Sequence, residues 1–150
     1  MNKEKRIWIA LFLALTLMLI LSGCSGLPKT AKINITIEPN PVPYSSEDGK
    51  WHCIMNISES NGVGVTLSSL RVDDYNQEEH LFDTQFLYEE DIIDWFESNY
   101  IPAFSSLQNE VYYSIDPGNE SAKYTVLTIE GVDDNNNPIE ATGRADYLPQ

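Results

Sequence analysis

Histidine, cysteine and basic residues are scarce in this sequence of 150 residues, and each shortage removes a class of chemistry. The two histidines, His52 and His80, stand far apart and have no HExxH spacing of a zinc protease, and no GxSxG nucleophile elbow occurs. Gly62-Val63-Gly64 lacks the lysine and helix that complete a phosphate cradle, so it reads as a turn. No residue set for an enzyme emerges. Lys and Arg number nine against 23 Asp and Glu, a formal charge of −14. Such a field repels phosphate backbones and anionic headgroups, which argues against nucleic acid as a partner and against a domain lying flat on a bilayer. Long apolar runs are also missing, with one exception at Ile7–Leu21.

That exception is 15 residues long, short of the roughly 20 that span a hydrocarbon core. Lys3, Lys5 and Arg6 precede it, and small residues follow, which are the parts of a secretory signal. Leu21-Ser22-Gly23-Cys24 then resembles the lipobox of prokaryotic lipoproteins. The resemblance implies cleavage before Cys24 and a covalent diacylglycerol and N-acyl lipid on its thiol and amine, with no other cofactor. It also implies a lipid-anchored, extracytoplasmic location on the cell membrane or outer membrane. Two or more acyl chains hold a protein stably where one does so marginally. The expected organisation is a signal peptide over 1–23, a lipidated tether over 24–31 and one domain over 32–150. The processed chain would carry six basic and 22 acidic residues, a charge of −16.

With Cys24 lipidated, Cys53 has no partner for a disulfide. It lies in Trp51-His52-Cys53-Ile54-Met55-Asn56-Ile57, where the two-residue period of a strand puts Trp51, Cys53, Met55 and Ile57 on one face. A small buried apolar role follows for the thiol. Similar alternations occur at Ile33–Ile37, closed by Pro39-Asn40-Pro41, and at Val63–Leu67. Leu70 and Val72 have the opposite parity, which predicts a bulge near Ser68-Ser69. Further strands are expected at 81–87, 111–115, 124–130 and 139–147. Ile92, Trp95 and Phe96 recur at helical spacing behind Glu89, Glu90 and Asp91, so a short helix with that apolar stripe packed inward is expected there.

About seven short strands with turns between them, one helical insert and no βαβ unit predict an all-β chain, an antiparallel β-sandwich, with a small β-barrel as the competitor. Pro39-Asn40-Pro41-Val42-Pro43, the Trp51 strand, Gly62-Val63-Gly64-Val65, Asp94-Trp95-Phe96 and Gly131-Val132-Asp133-Asp134 together are similar to Ig-like domains of prokaryotic secreted proteins and lipoproteins. Those motifs are structural punctuation; the Cys-Trp-Cys core of true immunoglobulins is absent, and fold does not imply function.

Asp133, Asp134, Asn135 and Asn137 form the one candidate calcium loop, since clustered side-chain oxygens suit a hard cation. Read as an EF-hand from Asp133, position six is Pro138 instead of Gly and position twelve is Arg144 instead of Glu, so a solvated hairpin tip is the expectation and no metal site is assigned. Glu89, Glu90, Asp91, Asp94 and Glu97 read as a solvated acidic face and not as general acid and base. Eight tyrosines and three tryptophans exceed what a small core usually takes; a ring around the rim of the sandwich is the expectation for them, and an aromatic binding surface is the alternative. The expected function is therefore a membrane-anchored, non-catalytic binding module of the cell envelope, contacting an envelope protein or a polysaccharide. The alternative is a small-ligand or calcium-binding lipoprotein. A sandwich filled through its middle favours the first; a concave apolar pocket favours the second.

Overall fold

The computed structural model describes residues 29–114 and 122–149. Cys24 and the expected signal peptide lie outside the described residues. The chain runs β1 (Ile33–Glu38), β2 (Tyr44–Ser45), β3 (Lys50–Glu59), β4 (Val65–Tyr75), β5 (Leu81–Tyr88), α1 (Glu89–Phe96), β6 (Tyr100–Ile101), β7 (Ser106–Ser114), β8 (Tyr124–Asp133) and β9 (Pro138–Asp146). Among the described residues, two antiparallel sheets form, and no closed barrel. In one, β3 is central, with β7 on one side and β1 and β2 end to end on the other. In the second the order is β5-β4-β8-β9, and β6 extends the β5 edge beside β4.

The alternation seen in the sequence sets the core. Trp51, Cys53, Met55 and Ile57 of β3 are buried; Met55 and Ile57 pair with Ile37 and Ile35 of β1, and the set packs with Leu67, Leu70, Leu127 and Ile129 of the other sheet. The register of β4 against β8 shifts between Leu67 and Ser69. That bulge turns Leu70 and Val72 back to the interior after Val65 and Leu67. Two two-residue strands, β2 and β6, are additional to the seven expected.

The sandwich is closed on one long side only. There β1 lies against β9 so tightly that a Cβ on Gly143 would sit 2.7 Å from the side chain of Ile35. The Asn40 amide reinforces this seam, donating to the Arg144 carbonyl at 3.0 Å while its oxygen accepts the Asp146 N–H at 2.9 Å. On the opposite side β5 and β7 are edge strands of different sheets, and α1 bridges them. Asp91 caps α1 by accepting the Tyr88 N–H at 2.9 Å. Ile92 and Phe96 are buried, but Trp95, expected in the inward stripe, is 39% exposed. An eight-residue helix across a gap has only a narrow buried line, and Trp95 falls on its rim. The five carboxylates from Glu89 to Glu97 are all exposed, as a solvated face requires.

Candidate functional site

At the end where the chain enters, two buried carboxylates organise the backbone. Glu59 continues the inward parity of Trp51 to Ile57 and is 3% exposed. Its oxygens accept N–H groups from Lys32 (3.1 Å), Asn61 (2.6 Å), Gly62 (2.8 Å) and Phe104 (3.1 Å). Burial alone would raise this carboxyl, but the four donors prevail and hold it at about 2. Gly62 makes the turn possible at φ 83°, beneath the Phe104 ring.

Asp133, the first residue of the candidate calcium loop, is likewise buried rather than solvated. It accepts the N–H groups of Ala31 (3.1 Å), Asn135 (2.9 Å) and Asn137 (2.8 Å), and the Asn137 amide reaches both its oxygens at 3.1 and 3.0 Å. Burial opposes ionisation, yet the Asn137 side chain and the backbone donors bring the carboxyl below its usual range. Asp134 accepts the Tyr100 hydroxyl at 3.2 Å, and Asn135 donates to the Lys29 carbonyl at 2.8 Å. A cation would have to displace N–H donors from Asp133, so this arrangement works as a tie between the β8–β9 turn and the start of the domain. Among the described residues, no group of three or more His, Cys, Asp or Glu could hold a metal ion.

The open β5–β7 side carries two other features. The first is an aromatic ledge. Register against Ser69, Arg71 and Asp73 places Tyr88, Phe86 and Thr84 on the outer face of β5. Phe86 is 55% and Tyr88 63% exposed, and their rings stack at 6.4 Å. Ile93 and Trp95 of α1 are exposed beside them in sequence, and Leu81 and Phe82 are exposed at the other end of the strand. Edge strands normally carry lysine, proline or a covering element; Leu81-Phe82-Asp83-Thr84-Gln85-Phe86-Leu87-Tyr88 has no lysine or proline.

The second is a cleft of about 110 Å³ that enters between the sheets past Trp95 and Gln85. Its walls are apolar, with Cys53 and Met55 from one sheet and Val72 and Leu127 from the other. Asp74 lies on it, 4% exposed, continuing the inward parity of Leu70 and Val72. The Thr125 hydroxyl donates to Asp74 Oδ1, and Thr125 Oγ1 lies 2.9 Å from the Tyr147 hydroxyl. Burial raises the Asp74 carboxyl against that hydrogen bond, and the charges of Asp83 and Asp73 add to the rise. Tyr147 stacks on Tyr113 at 4.9 Å, and both pack against Trp51. Burial pushes the Cys53 thiol up to about 11, so it is a wall and not a nucleophile. The expectation of a sandwich without a cavity is thus corrected: the two sheets close at β1–β9 but stay apart at β5–β7.

The tyrosines therefore divide. Tyr44, Tyr113 and Tyr147 surround Trp51, Tyr75 stacks on Tyr124 at 4.8 Å, and Tyr88, Tyr100 and Tyr112 face outward. A carboxylate extending an apolar alternation, at Glu59 after Ile57 and at Asp74 after Val72, was the sequence signal for both buried acids.

No family model matches the chain, and no curated protein matches it. Among solved structures it is similar to the putative ApaA protein from Bordetella pertussis, at 10% identity over 81% of this chain and 98% of that one, with a TM-score of 0.48. It is also similar to a CARDB domain from Pyrococcus furiosus solved in complex with di-metal ions, at 14% identity over 83% and 95% and a TM-score of 0.40. The collagen-binding subdomain of the Enterococcus faecalis surface protein ACE matches at 8% identity over 83% and 100%, with a TM-score of 0.32. Over its described residues the chain is an Ig-like antiparallel β-sandwich with one short helix.

Proposed function

We propose that this chain is a non-catalytic binding module of the cell envelope, anchored through acylated Cys24, whose β5–α1 edge receives an extended segment of a partner protein. The carrying observation is the aromatic ledge: Phe86 and Tyr88 sit exposed on a strand whose outer hydrogen-bonding edge is open, with β4 its one strand partner among the described residues. Addition of a strand to such an edge gives main-chain hydrogen bonds, while the ledge supplies pockets for alternate side chains. Glu89, Glu90, Asp91 and Asp94 next to the ledge favour a partner segment rich in Lys or Arg. The chain enters at Ala31, beside Asp133, at the end of β8 remote from Thr125. At about 3.3 Å per strand residue, the Asp74–Thr125 end stands about 25–30 Å from that entry, reaching away from the anchor.

Affinity capture from detergent-solubilised envelopes tests this reading. A protein retained by the wild-type chain and lost with Phe86→Ser combined with Tyr88→Ser supports it. Retention unaffected by the double substitution, or binding of purified envelope polysaccharide instead of protein, overturns it.

A second reading, that the module also holds a small ligand, is favoured by the cleft floored by Asp74.

A further inference from the structure

We infer that the cleft between β5 and β7 is a binding site for a small alkylammonium cation, held by the Asp74 carboxylate and the rings of Tyr113, Tyr147 and Trp95. The inference rests on the reading of the cleft as a ligand site and adds the ligand's chemical class. Size comes first. A cavity of about 150 Å³ takes benzene, so 110 Å³ admits about four to six non-hydrogen atoms. Drug-sized ligands need about 300 Å³ or more and are excluded.

Charge comes second. Asp74 is almost fully buried, and the hydroxyl of Thr125 satisfies one of its oxygens. Among the described residues no cation is set against it: the charges acting on it are those of Asp83, directly across the β4–β5 ladder, and Asp73, both negative. The Arg71 guanidinium, on the outer face, is engaged by Asp73 at 2.9 Å. An acid buried without a counter-charge costs stability, and a cation in the cleft relieves that cost.

The walls decide which cation. A metal ion would have to exchange its water shell for oxygen ligands, and beside Asp74 the cleft offers hydroxyls, the Gln85 amide and apolar groups. An alkylammonium ion is weakly hydrated on its methyl side, which suits Met55, Val72 and Leu127, and it is attracted to the faces of aromatic rings. Tyr113 and Tyr147 stack on one another at the inner end, and Trp95 stands at the mouth. The molecule already shows this affinity at a ring on the cleft's border, where the Lys50 ammonium lies 3.8 Å from the centroid of Tyr112.

The test uses the full chain in detergent micelles with ¹³C-methyl methionine, because Met55 lines the cleft. Tetramethylammonium chloride is the probe, sodium chloride the ionic-strength control, and tert-butanol the neutral molecule of the same size. Saturable movement of the Met55 methyl signal with tetramethylammonium, weakened at least tenfold in Asp74→Asn and severalfold in Trp95→Ala, is expected. Trp95 is on the rim, so its variant keeps the test valid if Asp74→Asn unfolds. If tert-butanol moves the signal as well as the cation does, the cleft binds ligands but the cation assignment falls. If neither probe moves it below 100 mM, the ligand-site reading falls too.

Discussion

Glu59 accepts four backbone N–H groups from three segments of the chain, and removing its charge should cost the fold more than any surface acid. Its carboxyl moves from an ordinary 4.5 to about 2 in the folded chain. At 1.36 kcal/mol per pKa unit the difference corresponds to about 3 kcal/mol, and water near the rim of the sandwich screens this to about 2. Because the folded value lies below the unfolded one, this stability is fully present above pH 4.5 and is lost as the pH falls toward 2. Against a total of about 5–15 kcal/mol the effect is large. In Glu59→Gln the amide oxygen still accepts some of the N–H groups of Lys32, Asn61, Gly62 and Phe104, but its NH₂ opposes the others. Urea unfolding of a form starting at Ser25 measures this. The wild type should exceed Glu59→Gln by about 2 kcal/mol or more at pH 7, and the gap should close by about that amount between pH 5 and pH 2.5. Subtracting the variant removes the contribution of the other carboxylates. Parallel curves for the two proteins over that range would refute the role of Glu59.

Three other outcomes follow from the same structure. Cys53 should resist thiol reagents until the domain unfolds, because burial has pushed its thiol up to about 11; Cys53→Ser should cost roughly 1–3 kcal/mol, and rapid labelling of the folded domain contradicts this. Thermal unfolding should be unmoved by 1 mM calcium, since Asp133 accepts N–H donors from three backbone positions and Asn137. A melting temperature raised several degrees by calcium, and lowered again by Asp133→Asn with Asp134→Asn, would show a cation site there. The wild-type chain should incorporate labelled palmitate and fractionate with membranes, and Cys24→Ala should do neither; equal labelling of both removes the anchor.

The β pattern was readable because burial on one face forces a period of two, as in Ile33–Ile37 and Trp51–Ile57, and because a parity break at Ser68-Ser69 has one simple structural meaning. The helix was readable from Ile92 and Phe96, but the position of Trp95 depends on how far apart β5 and β7 stand, which is a property of two edges 18 or more residues apart in the chain. The same distance creates the cleft, so no local pattern reveals it. Asp133 was seen, with its role reversed: composition counts oxygens, while the structure shows that N–H groups from Ala31, Asn135 and Asn137 have already filled them. Glu59 and Asp74 were legible only as parity, each an acid where an apolar residue was due. The partners that make Glu59 tolerable come from residues 32, 61, 62 and 104, and no spacing rule joins those.

The β5–α1 edge as the proposed contact surface has a direct test in the cell. The most direct measurement places a photo-crosslinking amino acid at position 86 of the acylated chain in intact cells, with position 54 as a control, since Ile54 is also exposed but lies on the other sheet. A single protein adduct at 86, absent at 54 and lost when Tyr88 is changed to Ser, is the predicted result. Adducts at 54 of equal yield, or none at 86, would contradict it.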